Sequence, residues 1–192
     1  MAEFGLLCPH TIRSMSETTP NNPFDLLGLE MRFQVDRAEI EAAYRRRLAT
    51  AHPDAGGDGS DEAHAALLNA SKETLLDDEQ RAVTLLRLLG GPDAKQCPDL
   101  PEGFLMEVME LRSEIEDELA TLGDEARERR EDWAIEQRRL YRDRAGSLFD
   151  SLSPTPSESQ LREIRVELNA WRYIERLIEQ LDPEYDPSRA DF

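Results

Sequence analysis

The sequence predicts an all-α protein made of two small helical domains, and three observations carry that expectation. Apolar residues return at spacings of three and four through most of the chain. No stretch of useful length alternates with period two or gathers β-branched and aromatic residues as a strand would. At 192 residues, with 33% charged and 39% hydrophobic residues, the chain has room for one domain or two small ones with modest cores.

Residues 1–22 lack the basic start and long apolar core of a signal peptide, and we read them as a disordered leader. Met15 offers a second start, because "MSETTPNNP" runs straight into the first folded segment. "FDLLGL" (Phe24–Leu29) reads as a short apolar turn. The next segment opens with Asp36 and Glu39 in capping-box spacing, an arrangement worth about 1 kcal/mol. Ile40, Tyr44, Leu48 and Ala51 then mark the buried face of a helix. That helix stops at His52, because Pro53 disfavours the α conformation in the residue before it. After the loop chemistry of "DAGGDGSD", a second helix is expected over about 62–76, with Ala65, Leu68 and Leu75 inward. A third, over 78–89, ends at Gly90-Gly91-Pro92.

The Pro-punctuated residues 93–101 read as a linker between halves. Three longer helical patterns follow, over about 102–122, 124–150 and 157–181, the last opened by a capping box of Ser157 and Gln160. On the first, Phe104, Val108, Leu111, Ile115, Leu119 and Leu122 fall on one stripe at ~100° per residue. On the last, Leu161, Ile164, Leu168, Trp171 and Ile178 face inward, while Val166, Tyr173 and Leu177 form a second line. The expected organisation is a leader 1–22, a helical domain 23–92, a linker 93–101, a three-helix domain 102–185 and a tail 186–192.

Charge narrows the function. The net charge is −18, which argues against binding a nucleic-acid backbone, since that needs clustered Lys and Arg. Residues 23–92 carry 8 basic against 13 acidic side chains, and residues 93–186 carry 13 against 25. No apolar run approaches the roughly 18 residues of a membrane span, so no membrane is expected as partner. The chain has 2 cysteines, Cys8 and Cys97, which make neither a disulfide framework nor a zinc spacing and suit a reducing, cytoplasmic setting.

Against this acidity stands "YRRRLATAHPDAGG" (Tyr44–Gly57), where three consecutive arginines lead into a His-Pro-Asp corner. Tyr44 lies eight residues before His52, a Gly-rich loop follows, and "NASKETL" (Asn69–Leu75) and Arg81 stand downstream. This ordered set resembles the J-domain, the module that recruits DnaK-type chaperone ATPases and stimulates their ATP hydrolysis. Arg47 stands where that family usually has Leu, with Leu48 next, and Ala55 stands where a Lys often follows the tripeptide. Physically, Pro53 fixes its own φ and ends the helix, so His52 and Asp54 belong to a corner with little ordering entropy left to lose. Arg45, Arg46 and Arg47 extend along the helix as a cationic face, which raises association rate and fixes orientation toward an acidic groove. The resemblance thus implies a chaperone-binding set of His52, Pro53, Asp54, Arg45 and Arg46.

The second half narrows the resemblance. "RAVTLLRLLG" (Arg81–Gly90), "FLMEVMELRSEIEDEL" (Phe104–Leu119) and "WRYIERLIEQL" (Trp171–Leu181) resemble the HscB family, the J-domain co-chaperones of iron–sulfur cluster assembly, over about residues 23–185. The resemblance implies an N-terminal J-domain followed by a C-terminal three-helix bundle that delivers an IscU-type scaffold protein to an HscA-type chaperone. It places scaffold contacts on Leu105, Met106, Met109, Glu110, Arg112 and Tyr173. Periodicity independently leaves Leu105, Met106 and Met109 off the core stripe, among Glu102, Glu110 and Glu116. Flexible Met side chains inside an acidic rim suit a protein-binding surface. The competing reading is packing against the first half or the flank of the core, and the partner reading fits better. A general J-domain protein whose acidic bundle binds a different client remains the alternative.

Other chemistry is sparse. His52 and Asp54 lack a nucleophile with an orienting neighbour, so no enzyme activity is expected. Cys8 and His10 are two ligands and make no metal site. Human-type relatives carry paired CxxC motifs before the J-domain and this chain does not, so neither zinc nor another cofactor is expected. The glycines at 56, 57 and 59 are not followed by GK[ST] and form no phosphate loop. A monomer is expected.

Overall fold

Seven helices account for the regular structure of the described residues: α1 (Pro23–Leu27), α2 (Arg37–Thr50), α3 (Ser60–Leu76), α4 (Asp78–Leu88), α5 (Phe104–Leu122), α6 (Asp124–Asp150) and α7 (Glu158–Glu179). The computed structural model describes residues 22–50 and 60–182. The His52-Pro53-Asp54 tripeptide, residues 1–21 of the leader and the tail lie outside the described residues, while Asn22, read as the end of the leader, belongs to the folded part.

Local chemistry explains several helix ends. The segment read as a turn at Phe24 is a five-residue helix, because Asn22 caps it by accepting from the Phe24 amide at 3.0 Å and Pro23 occupies the first turn. Gly28 closes α1 at φ 69°, and the Arg47 guanidinium lies where a Cβ on that residue would stand. Asp77 caps α4 through the Gln80 amide at 2.9 Å. The capping box expected on α7 is present, with Ser157 Oγ accepting from the Gln160 amide and Gln160 Oε1 from the Ser157 amide. The box expected on α2 does not close. Glu39 is instead held by the Arg32 guanidinium at 2.8 and 2.9 Å, a bidentate pair that competes better than a single amide.

α1 and α2 both pack on α3, α3 packs on α4, and α5, α6 and α7 pack on one another. α4 then lies against α7 and α6, so the buried side chains of both halves form one continuous apolar cluster. Trp171, Leu168, Ile164, Phe24, Phe33, Ile40, Leu68, Leu75 and Leu86 are its largest fully buried members. Each such Leu or Ile contributes roughly 1.5–3 kcal/mol relative to exposure.

Two features join the halves. Phe33, between α1 and α2, stacks on Phe149 of α6 with ring centroids 5.4 Å apart. Gly146 on α6 permits this approach, since a Cβ there would meet the Gln34 amide and sit 3.5 Å from the Phe33 ring. The segment 93–101 is also tied down. Asn169 Nδ2 of α7 donates to the Cys97 and Asp99 carbonyls at 2.8 and 2.9 Å, and Arg162 binds Asp99 at 2.6 Å. Cys97 is buried and carries a free thiol. No helix among the described residues is long and apolar enough to cross a membrane.

Candidate partner-binding surfaces

α2 turns its apolar residues inward and its arginines outward. Ile40 and Ala43 are buried, while Tyr44 and Leu48 pack half-buried against the core. Tyr44 donates its hydroxyl to Asn69 Oδ1 at 2.6 Å, and Lys72 Nζ lies 4.7 Å above its ring. The Tyr44 signal and the "NASKETL" signal are therefore one contact between α2 and α3. Arg47 turns back toward α1 and reaches the Asp25 carbonyl at 3.4 Å. Leu48 takes the inward position, so the shifted Leu leaves the helix face unrotated. Arg45 and Arg46 stay exposed and pair with no described carboxylate.

Arg81, legible only as part of a pattern, is a structural staple. It is 4% exposed, donates to the Phe33 carbonyl at 2.9 Å and to the Leu75 carbonyl, pairs with Asp78 and lies 5.0 Å from the Phe33 ring centroid. It fixes the loop before α2 against α4.

On α5, Phe104, Val108 and Ile115 are buried and Leu111 and Leu119 half-buried, while Leu122 at the helix end is exposed. The off-stripe residues are the most exposed apolar group on this helix: Leu105 at 51%, Met106 at 67% and Met109 at 64%. Glu110 and Arg112 flank them in solvent, with Arg112 paired to Glu116 at 2.7 Å. Tyr173 of α7 is 38% exposed and meets buried Phe104 edge-on at 6.1 Å, which places it beside the start of the same line. Leu177 corrects the second line read on α7. It is 4% exposed and part of the core, because α7 is covered on more than one side.

A polar junction between α4, α6 and α7 has no counterpart in the sequence reading. Arg138 grips Glu175 through three hydrogen bonds of 2.8–3.1 Å, and Trp171 Nε1 donates to the same carboxylate at 3.1 Å. Arg172 pairs with Glu79 at 3.5 Å and with Glu179 at 2.8 Å. Burial pushes the Glu79 carboxyl up to about 7, with Arg172 opposing and Glu175, Asp77 and Glu179 adding to the rise. Burial also lowers the Arg165 guanidinium. Among the described residues no cluster of three or more His, Cys, Asp or Glu has metal-binding geometry.

A cationic α2 face joined through a shared core to a three-helix bundle is the architecture of a J-domain co-chaperone. The family model for the HscB C-terminal oligomerisation domain matches residues 100–182. The co-chaperone HscB homologue of Burkholderia multivorans is 32% identical over 165 residues, covering 80% of this chain and 94% of that protein, and that of Paraburkholderia xenovorans gives the same values. Among solved structures, human co-chaperone HscB superposes with a TM-score of 0.65 at 23% identity, over 94% of this chain and 90% of that one. Chaperone HscB from Vibrio cholerae gives 0.61 at 25%, over 83% and 94%. The chain belongs to the HscB family of co-chaperones.

Proposed function

We propose that this chain stimulates the ATPase of a DnaK/HscA-type chaperone and delivers an IscU-type iron–sulfur scaffold protein to it. The observation that carries the reading is the exposed apolar line of α5. The bundle core is already filled without Leu105, Met106 and Met109, and contiguous exposed apolar side chains ringed by acidic groups mark a protein-binding surface. Glu110, Arg112 and Tyr173 flank that line and take the rim of the contact. Arg45 and Arg46 steer the chaperone toward the His52-Pro53-Asp54 corner. Residues 23–92 act as the J-domain, 93–101 as the linker and 102–185 as the scaffold-binding unit. The protein works as a cytoplasmic monomer, without catalytic residues of its own.

The test is steady-state ATP hydrolysis by an HscA-type chaperone with and without the scaffold. The chain should accelerate hydrolysis, and the scaffold should raise the rate further. His52→Gln should remove both effects while the protein stays folded. Stimulation that the scaffold leaves unchanged would instead favour a general co-chaperone with another client.

A further inference from the structure

Two arginines in this chain are buried to the same degree and treated in opposite ways. Arg81, 4% exposed, directs its guanidinium to two backbone carbonyls and the Asp78 carboxylate. Arg165 of α7, 5% exposed, has a buried Nε with no hydrogen-bond partner, and no described carboxylate binds its guanidinium. A buried guanidinium left unpaired is costly, and a site that keeps one gains from an anion supplied from outside.

Arg165 lines a cleft of 350 Å³ bounded by α4, the 93–101 segment and α7. That size is at the small end of the range for organic ligands, about 300–1,000 Å³. One wall is apolar, built from Val83, Ala94, Pro98 and the Tyr173 ring. Two of the other polar groups there are already engaged. Asn169 Nδ2 is held by the Cys97 and Asp99 carbonyls, and Arg172 pairs with Glu79 and Glu179. Arg165 is thus a donor open to a ligand, in a lining it shares with Glu79, Tyr173 and Arg176.

We infer that this cleft binds a small organic anion, its carboxylate or phosphate group paired with Arg165 and its apolar body against Val83, Pro98 and Tyr173. Such a ligand touches α4 and α7 at once and stiffens the junction between the two halves. The cleft shares Tyr173 with the rim of the exposed α5 line, and it does not depend on which client that line binds.

The experiment is calorimetric titration and thermal unfolding of the full chain with benzoate and with phenyl phosphate, against sodium chloride at equal ionic strength. At least one probe should bind saturably and raise the melting temperature, and the stronger of the two tells carboxylate from phosphate. Arg165→Gln should weaken that binding by about ten-fold or more, the size of a charge-assisted hydrogen bond, and Arg165→Lys should restore part of it. Ala94→Phe, at an exposed position on the wall, should fill the cleft and abolish binding without touching the core. It decides the matter alone if Arg165→Gln does not fold. Absence of a saturable response to both probes, or unchanged affinity in Ala94→Phe, would overturn the assignment.

Discussion

The outer faces of α2 and α5 belong to one strongly acidic chain, yet the first displays arginines and the second an apolar line within an acidic rim. On α2 the exposed residues include Arg45, Arg46 and Arg47, the last reaching back to the Asp25 carbonyl of α1. On α5 the most exposed apolar residues are Leu105, Met106 and Met109. Charge acts through solvent over about a Debye length, ~8–10 Å, so in the proposed function the α2 face works before contact and governs encounter. Apolar surface acts only once water has left, so the α5 face works after contact and governs how long a complex lasts. The proposed function thus keeps the meeting of a chaperone and the holding of a client on separate helices.

The largest effect should come from erasing the α5 side. Changing Leu105, Met106 and Met109 together to Ala should weaken binding of an IscU-type scaffold by about 4 kcal/mol, because buried apolar anchors dominate such interfaces. Calorimetric titration measures the loss. Thermal melts should move little, whereas Ile115→Ala, at a position 2% exposed on the same helix, should cost about 2–5 kcal/mol of stability. A triple variant that melts like Ile115→Ala would make the line structural and remove the contrast.

Next in size is Glu79, where charge is buried rather than displayed. Its folded carboxyl titrates at about 7 against 4.5 for the free side chain, because burial disfavours the ionised form. The folded state keeps a proton that the unfolded chain releases. The stability this proton contributes is full below about pH 4.5 and is lost as pH rises toward about 7, a change of about 3 kcal/mol. Glu79→Gln should therefore melt above the parent at pH 8, with most of that gap closed by pH 5. Equal melting temperatures at both pH values would show that Arg172 fully compensates the buried charge.

The smallest effect is expected on the α2 side. Arg45→Ala with Arg46→Ala should slow association with the chaperone several-fold, about 1 kcal/mol, and flatten its salt dependence while leaving dissociation nearly unchanged. Stopped-flow binding at two ionic strengths separates these. If dissociation changes instead, the arginines sit inside the contact and the division between the helices fails.

Helix identity and the filling of each local stripe were readable in advance. Leu161, Ile164, Leu168, Trp171 and Ile178 recur with the helical period and are all buried, and Ser157 with Gln160 states its own cap. Both signals are carried by residues three or four apart, where backbone geometry alone decides which side chains are neighbours. The exposure of Leu105, Met106 and Met109 follows from the same arithmetic, since a stripe already complete leaves them outside it.

Readings that needed a second element did not survive unaided. Glu39 matched a capping box but was taken by Arg32 from the preceding loop. Leu177 sat off the stripe of α7 but is buried, because α7 packs against α4 as well as its bundle partners. The stacking of Phe33 on Phe149, the clearance at Gly146, the raised Glu79 and the unpaired Arg165 have no local pattern at all. Each arises where residues distant in the chain are brought into one dry space, and there the partner available, not the residue's own spacing, sets burial, protonation and pairing.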